Sequence, residues 1–180
     1  MVALVGICGS MRKASLNRAL LVAVGEALPA GSTLELVESL DLPIFNSDLG
    51  EPPAVTEIKR RIGAADGVVF AVPEYNYSIP GGLKNALDWL SRPPSQSPLR
   101  GKPVGMVGAA SGMSGTIRAQ THLRNILVYS DAPCLLQPEV LIARAQDRFD
   151  AEGRLTDAST RTLLEKFCAS LVAFVGRNKL

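Results

Sequence analysis

The sequence predicts a doubly wound α/β fold, in which one parallel sheet of five strands is covered by helices on both faces. Three observations carry this. Short, continuous apolar runs recur along the 180 residues. They alternate with stretches of helical periodicity. The order reads strand then helix five times over. Runs that are apolar at every position mark strands buried on both faces, as in a parallel sheet. Regular alternation demands crossover connections, which place the helices on the two faces.

The elements follow in order. Residues 2–8 (VALVGIC) are the first buried strand. Residues 16–28 place Leu16, Leu20, Val24 and Leu28 on one helical stripe, and Pro29, Ala30 and Gly31 stop it. Residues 33–38 alternate as a second strand. Residues 53–65 read as a helix with Val55, Ile58 and Ile62 inward and Lys59, Arg60 and Arg61 outward. Residues 67–72 (GVVFAV) are a third strand. Residues 80–90 are a helix opened by Pro80, where a missing N–H costs nothing, with Leu83, Leu87 and Leu90 inward. The Pro- and Ser-rich residues 93–103 are a loop within the domain. Residues 104–110 are the fourth strand, and 114–129 the helix after it. Residues 132–136, reaching toward Val140, are the fifth strand. Residues 157–175 close the fold as a helix with Leu164, Phe167, Leu171, Phe174 and Val175 inward. No repeat or domain-scale linker interrupts the series, so the whole chain is expected to form one domain. Right-handed crossovers leave few arrangements, and the flavodoxin-like order 2-1-3-4-5 is the expected one.

Composition narrows the function. Hydrophobic residues make up 47% and charged residues 20%, with a mean hydropathy of +0.17, which argues against disorder. The net charge of +2 is too mild for a nucleic-acid partner, and Lys59, Arg60 and Arg61 read as a solvated helix face. Three cysteines at wide spacings and one histidine provide no metal-ligand pattern. The N-terminal apolar run is short, and its positive charges follow rather than precede it, which is the wrong order for a signal peptide. No stretch is long enough for a membrane span. A cytoplasmic protein is expected.

In open parallel sheets ligands bind past the carboxyl ends of the strands, where the strand order reverses. With order 2-1-3-4-5 the loops at residues 9–15, 73–80 and 111–115 meet there. In the first, Ser10, Ser15 and Asn17 offer neutral donors and Arg12 a forked cation. The loop runs into a helix N-terminus, and the set reads as a phosphate site; Ser15 as a simple helix cap is the plainer alternative. Neither the Walker A spacing nor the dinucleotide G-x-G-x-x-G spacing is present. Cys8 precedes the loop, but a thiolate phosphatase pattern needs an arginine where Ala14 stands, so Cys8 reads as an inert thiol. The second loop sets Tyr75 and Tyr77 among amides and hydroxyls, between Pro73 and Pro80, and suits packing against a planar ring. Tyrosines that contact a partner subunit are the competing reading, and the two are compatible. Ser111, Gly112 and Gly115 let a backbone approach a ligand closely.

Taken together, Gly9-Ser10-Met11-Arg12 with Ser15 and Asn17, Pro73-Glu74-Tyr75-Asn76-Tyr77-Ser78, and Gly82-Leu83-Lys84-Asn85-Ala86-Leu87-Asp88-Trp89 resemble the NADPH-dependent FMN reductase family, in particular its bacterial quinone and chromate reductases. The resemblance implies FMN as cofactor and NADPH or NADH as co-substrate. It places Ser10, Arg12, Ser15, Leu16 and Asn17 at the FMN phosphate, and Pro73, Glu74, Tyr75, Asn76 and Tyr77 along the ring. Ser111 and Gly112 fall on the ring's pyrimidine side. The third loop departs from the family's Gly-Gly-x-Arg ending, reading Gly115-Thr116-Ile117-Arg118. A homodimer or homotetramer is implied, with Tyr77, His122, Arg124 and Tyr129 as candidate interface residues.

The implied reaction passes a hydride from NAD(P)H to the flavin and then electrons to a small acceptor in the same open place, by ping-pong kinetics. Quinones, chromate, azo compounds and free flavin are all acceptors such a place would admit. No side chain is expected to act as catalytic acid, base or nucleophile, and no metal is expected. Main-chain N–H groups near residues 111–115, at a helix start, are expected to face the charge on the reduced ring. The alternative is an FMN electron carrier or flavin-binding regulator without its own substrate. Such carriers are usually strongly acidic, which a net charge of +2 does not fit.

Overall fold

A computed structural model describes residues 1–37 and 39–178. Five parallel strands lie in the order β2-β1-β3-β4-β5, as expected. They are β1 (Val2–Cys8), β2 (Ser32–Leu36), β3 (Gly67–Ala71), β4 (Val104–Ala109) and β5 (Val140–Ile142). The helices between them are α1 (Leu16–Glu26), α2 (Pro53–Ala64), α3 (Gly81–Leu90), α4 (Ile117–Leu127) and α5 (Ala158–Arg177).

The apolar runs become the three central strands. Every residue of β3 and β4 is buried, and β1 pairs β2 on one side and β3 on the other. Two cores form, one on each face of the sheet. Ile58 and Ile62 of α2, Leu83 and Leu87 of α3 and Leu123 of α4 pack on Val5, Ile7 and Phe70. Leu20 and Val24 of α1 and Leu164, Phe167 and Leu171 of α5 pack on Leu4, Val69 and Val107. The periodic stripes read from the sequence are the buried faces.

Two boundaries differ from the expected ones for physical reasons. The fifth strand is Val140–Ile142, not residues 132–136. Pro133 and Pro138 have no N–H to give a ladder, so residues 132–136 touch the sheet only at an isolated bridge between Cys134 and Val104. Continuous pairing with β4 begins after Pro138, with Val140 beside Val107. Helix α4 starts at Ile117 rather than Ser114, because Gly115 holds φ at +59 and its Cα lies against the Leu141 backbone, where a Cβ would sit 2.9 Å from the carbonyl carbon. The second strand ends at Leu36; Glu38, expected within it, lies outside the described residues.

In the Leu-Lys-Asn-Ala-Leu-Asp-Trp stretch of α3, Asn85 and Trp89 tie down residues 42–45. The Asn85 side chain accepts the Phe45 N–H at 2.7 Å and donates to the carbonyls of Leu42 at 3.3 Å and Pro43 at 2.9 Å. Trp89 Nε1 donates to the same Pro43 carbonyl at 2.8 Å, and its ring meets Phe45 edge-on at 4.9 Å. These contacts seat the chain between β2 and α2 against α3. The Lys84–Asp88 pair is exposed and adds little. No helix among the described residues is long and apolar enough to cross a membrane. Asn85→Ala removes a buried amide and leaves the Phe45 N–H without its acceptor, so it is expected to cost about 2–4 kcal/mol, read as a lower urea midpoint with an unchanged slope.

Candidate functional site

The loops after β1, β3 and β4 converge on one cavity of about 420 Å³ at the carboxyl ends of the central strands. Its wall includes Ser10, Arg12, Ser15, Leu16 and Asn17 from the first loop, Pro73, Glu74 and Tyr75 from the second, and Ser111 and Gly112 from the third. Of the residues expected here, only Asn76 and Tyr77 stand outside the wall, on the turn beyond Tyr75. The volume suits a small organic ligand.

The N-terminus of α1 opens onto this cavity. Ser15 is its N-cap, and its Oγ accepts the Arg18 N–H at 3.3 Å. Ser15 therefore caps the helix, as the plainer reading had it, and also lines the cavity. The N–H groups of Leu16 and Asn17 belong to the first turn and have no acceptor within the helix, and the helix dipole adds positive potential there. Ser10 Oγ accepts the Arg12 N–H at 3.3 Å, which tightens the loop. The exposed Arg12 side chain faces the cavity with no carboxylate partner among the described residues.

Asn17 has a role the sequence did not disclose. Its side chain donates to the Ala109 carbonyl at 2.8 Å and accepts the Ala109 N–H at 3.0 Å. The buried amide is committed to tying α1 to the end of β4. With Nδ2 given to the Ala109 carbonyl, the donor Asn17 has left at the cavity is its main-chain N–H.

The second loop is anchored across the cavity. The Glu74 carboxylate, 9% exposed, accepts the N–H groups of Arg118 at 3.0 Å and Ala119 at 3.3 Å, and pairs with Arg118 Nη1 at 3.1 Å. It caps α4 from 44 residues away, because the helix's own cap residue, Thr116, makes no capping bond. Thr116 is fully buried, its Oγ1 accepts from Gln120 Nε2 at 3.1 Å, and it packs on Gly108 so closely that a Cβ there would lie 1.7 Å from Oγ1. The N–H groups of Arg118 and Ala119 at the α4 start are therefore filled by Glu74. The N–H groups of Ser111 and Gly112 have no acceptor among the described residues and are among the donors the third loop retains.

Among the described residues no group of three or more His, Cys, Asp or Glu side chains is placed to hold a metal. Burial pushes the Cys8 thiol up, and bonds from the Ser10 main chain and Ser15 offset it only in part. Cys168 is pushed up to about 12 by burial alone. Neither is set up as a nucleophile.

A family model described as NADPH-dependent FMN reductase matches residues 2–147. The chain is 47% identical over 175 residues to an NAD(P)H-dependent FMN reductase of Pseudomonas aeruginosa, covering 96% of this chain and 94% of that protein. It is 40% identical over 176 residues to a quinone reductase of Escherichia coli, covering 94% and 92%. Among solved structures, the flavoenzyme NAD(P)H:(acceptor) oxidoreductase FerB from Paracoccus denitrificans superposes with a TM-score of 0.92 at 33% identity over 100% of both chains.

Iodoacetamide at pH 8 is expected to leave Cys8 and Cys168 unmodified in the folded protein and to label both after denaturation. Rapid labelling of folded Cys8, read by peptide mass, would show a thiolate at the loop and reopen the phosphatase reading.

Proposed function

This chain belongs to the NADPH-dependent FMN reductase family, and on that footing we propose that its cavity holds FMN with the phosphate at the α1 N-terminus and the ring along residues 73–77. The family makes it an FMN-dependent oxidoreductase that uses NAD(P)H. One observation carries the placement: three loops enclose a single cavity whose one end offers free helix N–H groups and Arg12, while the other offers aromatic and main-chain surface. That is the polarity of a flavin mononucleotide.

The residues present fit the group. Ser10, Arg12, Ser15 and the N–H groups of Leu16 and Asn17 would bind the phosphate. Pro73, Glu74 and Tyr75 would lie against the ring, with Asn76 and Tyr77 at its edge. The N–H groups of Ser111 and Gly112 would meet its polar rim and favour negative charge there. Bound FMN supplies a ring that takes a hydride from NAD(P)H and returns two electrons to an acceptor. The chain's part is to bind and orient; no side chain in the wall is assigned the role of acid, base or nucleophile. The Escherichia coli relative's name supports a quinone as the acceptor.

We also propose a homo-oligomer. Val128 and Tyr129, 75% and 62% exposed, set an apolar surface at the end of α4 that a second copy would cover. The four expected interface residues each have a partner within the chain: Tyr77 with Arg118, His122 with Ser78, Arg124 with Glu139 and Tyr129 with Arg92. Light scattering of the purified protein is expected to give a mass at least twice 19.1 kDa.

Arg12→Ala is expected to weaken FMN binding by about 1.5–3 kcal/mol, the range for a hydrogen bond to a charged group, or roughly 10- to 150-fold. Wild type is expected to oxidise NAD(P)H steadily with a soluble quinone. Equal FMN affinity in the variant and wild type would remove Arg12 from the phosphate site, and absence of turnover would remove the quinone.

A further inference from the structure

The turn at the far edge of the proposed ring site has an unusual backbone. Asn76 and Tyr77 both lie in the left-handed region, with φ of 52 and 65. Tyr75 and Ser78 exchange main-chain hydrogen bonds at 2.9 and 3.0 Å across them. This two-residue turn usually takes Asn or Gly at both centres. Asn76 suits it; a tyrosine at the second centre is strained and persists only when its surroundings hold it.

Helix α4 does the holding. The Arg118 guanidinium lies over the Tyr77 ring, 4.2 Å from the centroid. One turn along, His122 Nδ1 is 2.6 Å from Ser78 Oγ. Arg118 and His122 are four residues apart and share a helix face, so adjacent turn residues dock on adjacent rungs. Arg118 is itself fixed, because its own N–H and its guanidinium both bond the Glu74 carboxylate. An exposed ion pair alone would hold little. Here the carboxylate is nearly buried and bonded to two main-chain N–H groups, so the guanidinium has a stationary anchor.

We propose that Arg118 is a positioning residue for the flavin: anchored by Glu74, it stacks on Tyr77 and keeps residues 75–78 in the conformation that receives the ring. The inference rests on the FMN reading above. Arg118 is not in the cavity wall; it acts through Tyr77 by ordering the turn before the ligand arrives, so that binding loses less entropy.

The test titrates FMN into flavin-free wild type, Arg118→Ala and Arg118→Lys, following flavin fluorescence. Hydrogen exchange of the amides at 76–78 is measured in the flavin-free proteins, with β3 amides as the control for an intact fold. Arg118→Ala is expected to bind FMN roughly 5- to 30-fold more weakly, the span of a partly desolvated cation–π contact. Its turn amides are expected to exchange faster while β3 stays protected. Arg118→Lys, which keeps a cation for both Tyr77 and Glu74, is expected to recover most of the affinity. If wild type binds FMN and Arg118→Ala binds it equally well, or if Lys recovers none of the loss, the positioning role is wrong and the flavin reading stands. If wild type itself binds no FMN, the flavin reading fails and takes this one with it.

Discussion

The site depends on the pair of hydrogen bonds between the Asn17 side chain and the main chain of Ala109. Asn17 sits in the first turn of α1 and Ala109 is the last residue of β4. The amide therefore fixes the helix end that would hold a phosphate to the strand end from which the third loop departs. Being buried, the two bonds are shielded from competing water, and losing either would leave a main-chain group unpaired. Without this tie the two ends of the cavity could drift apart, and a rigid ligand could not meet both.

A second long-range contact works to the same end. Glu74 leaves the second loop to cap α4, so the start of α4 and the course of the loop are set together. Three loops distant in sequence thus form one rigid rim. The chemistry assigned to the family lies largely in the flavin, and a fixed rim is what a protein adds to such chemistry. The mild net charge agrees with a site that takes small molecules rather than docking an acidic or basic protein.

Much of this was legible in the sequence, because it is local. The apolar runs fixed the three central strands, and the helical stripes fixed the buried faces. The reversal of strand order pointed to the three loops that enclose the cavity, and composition suggested the first of them for an anion. What escaped was non-local. Asn17 looked like a free donor, since nothing in the first loop shows that Ala109, 92 positions on, claims its side chain. Glu74 looked like a ring contact alone, and its added capping role follows from Thr116 being buried against Gly108, which no local pattern reveals. The fifth strand slipped because residues 132–136 are apolar enough for a strand, while Pro133 and Pro138 withhold the N–H groups a ladder needs. The one available hint of Arg118 was its place just after the altered third loop.

The central claim is that the α1 N-terminus grips a phosphate while the other loops grip the ring. Competitive titration of flavin-free protein with FMN and with riboflavin, which has the same ring and no phosphate, tests it most directly. FMN is expected to bind at least about 100-fold more tightly, as charge-assisted bonds to Arg12 and the helix N–H groups would give. Equal affinity for the two would mean that the phosphate is not held at α1, and the account of the site would be wrong.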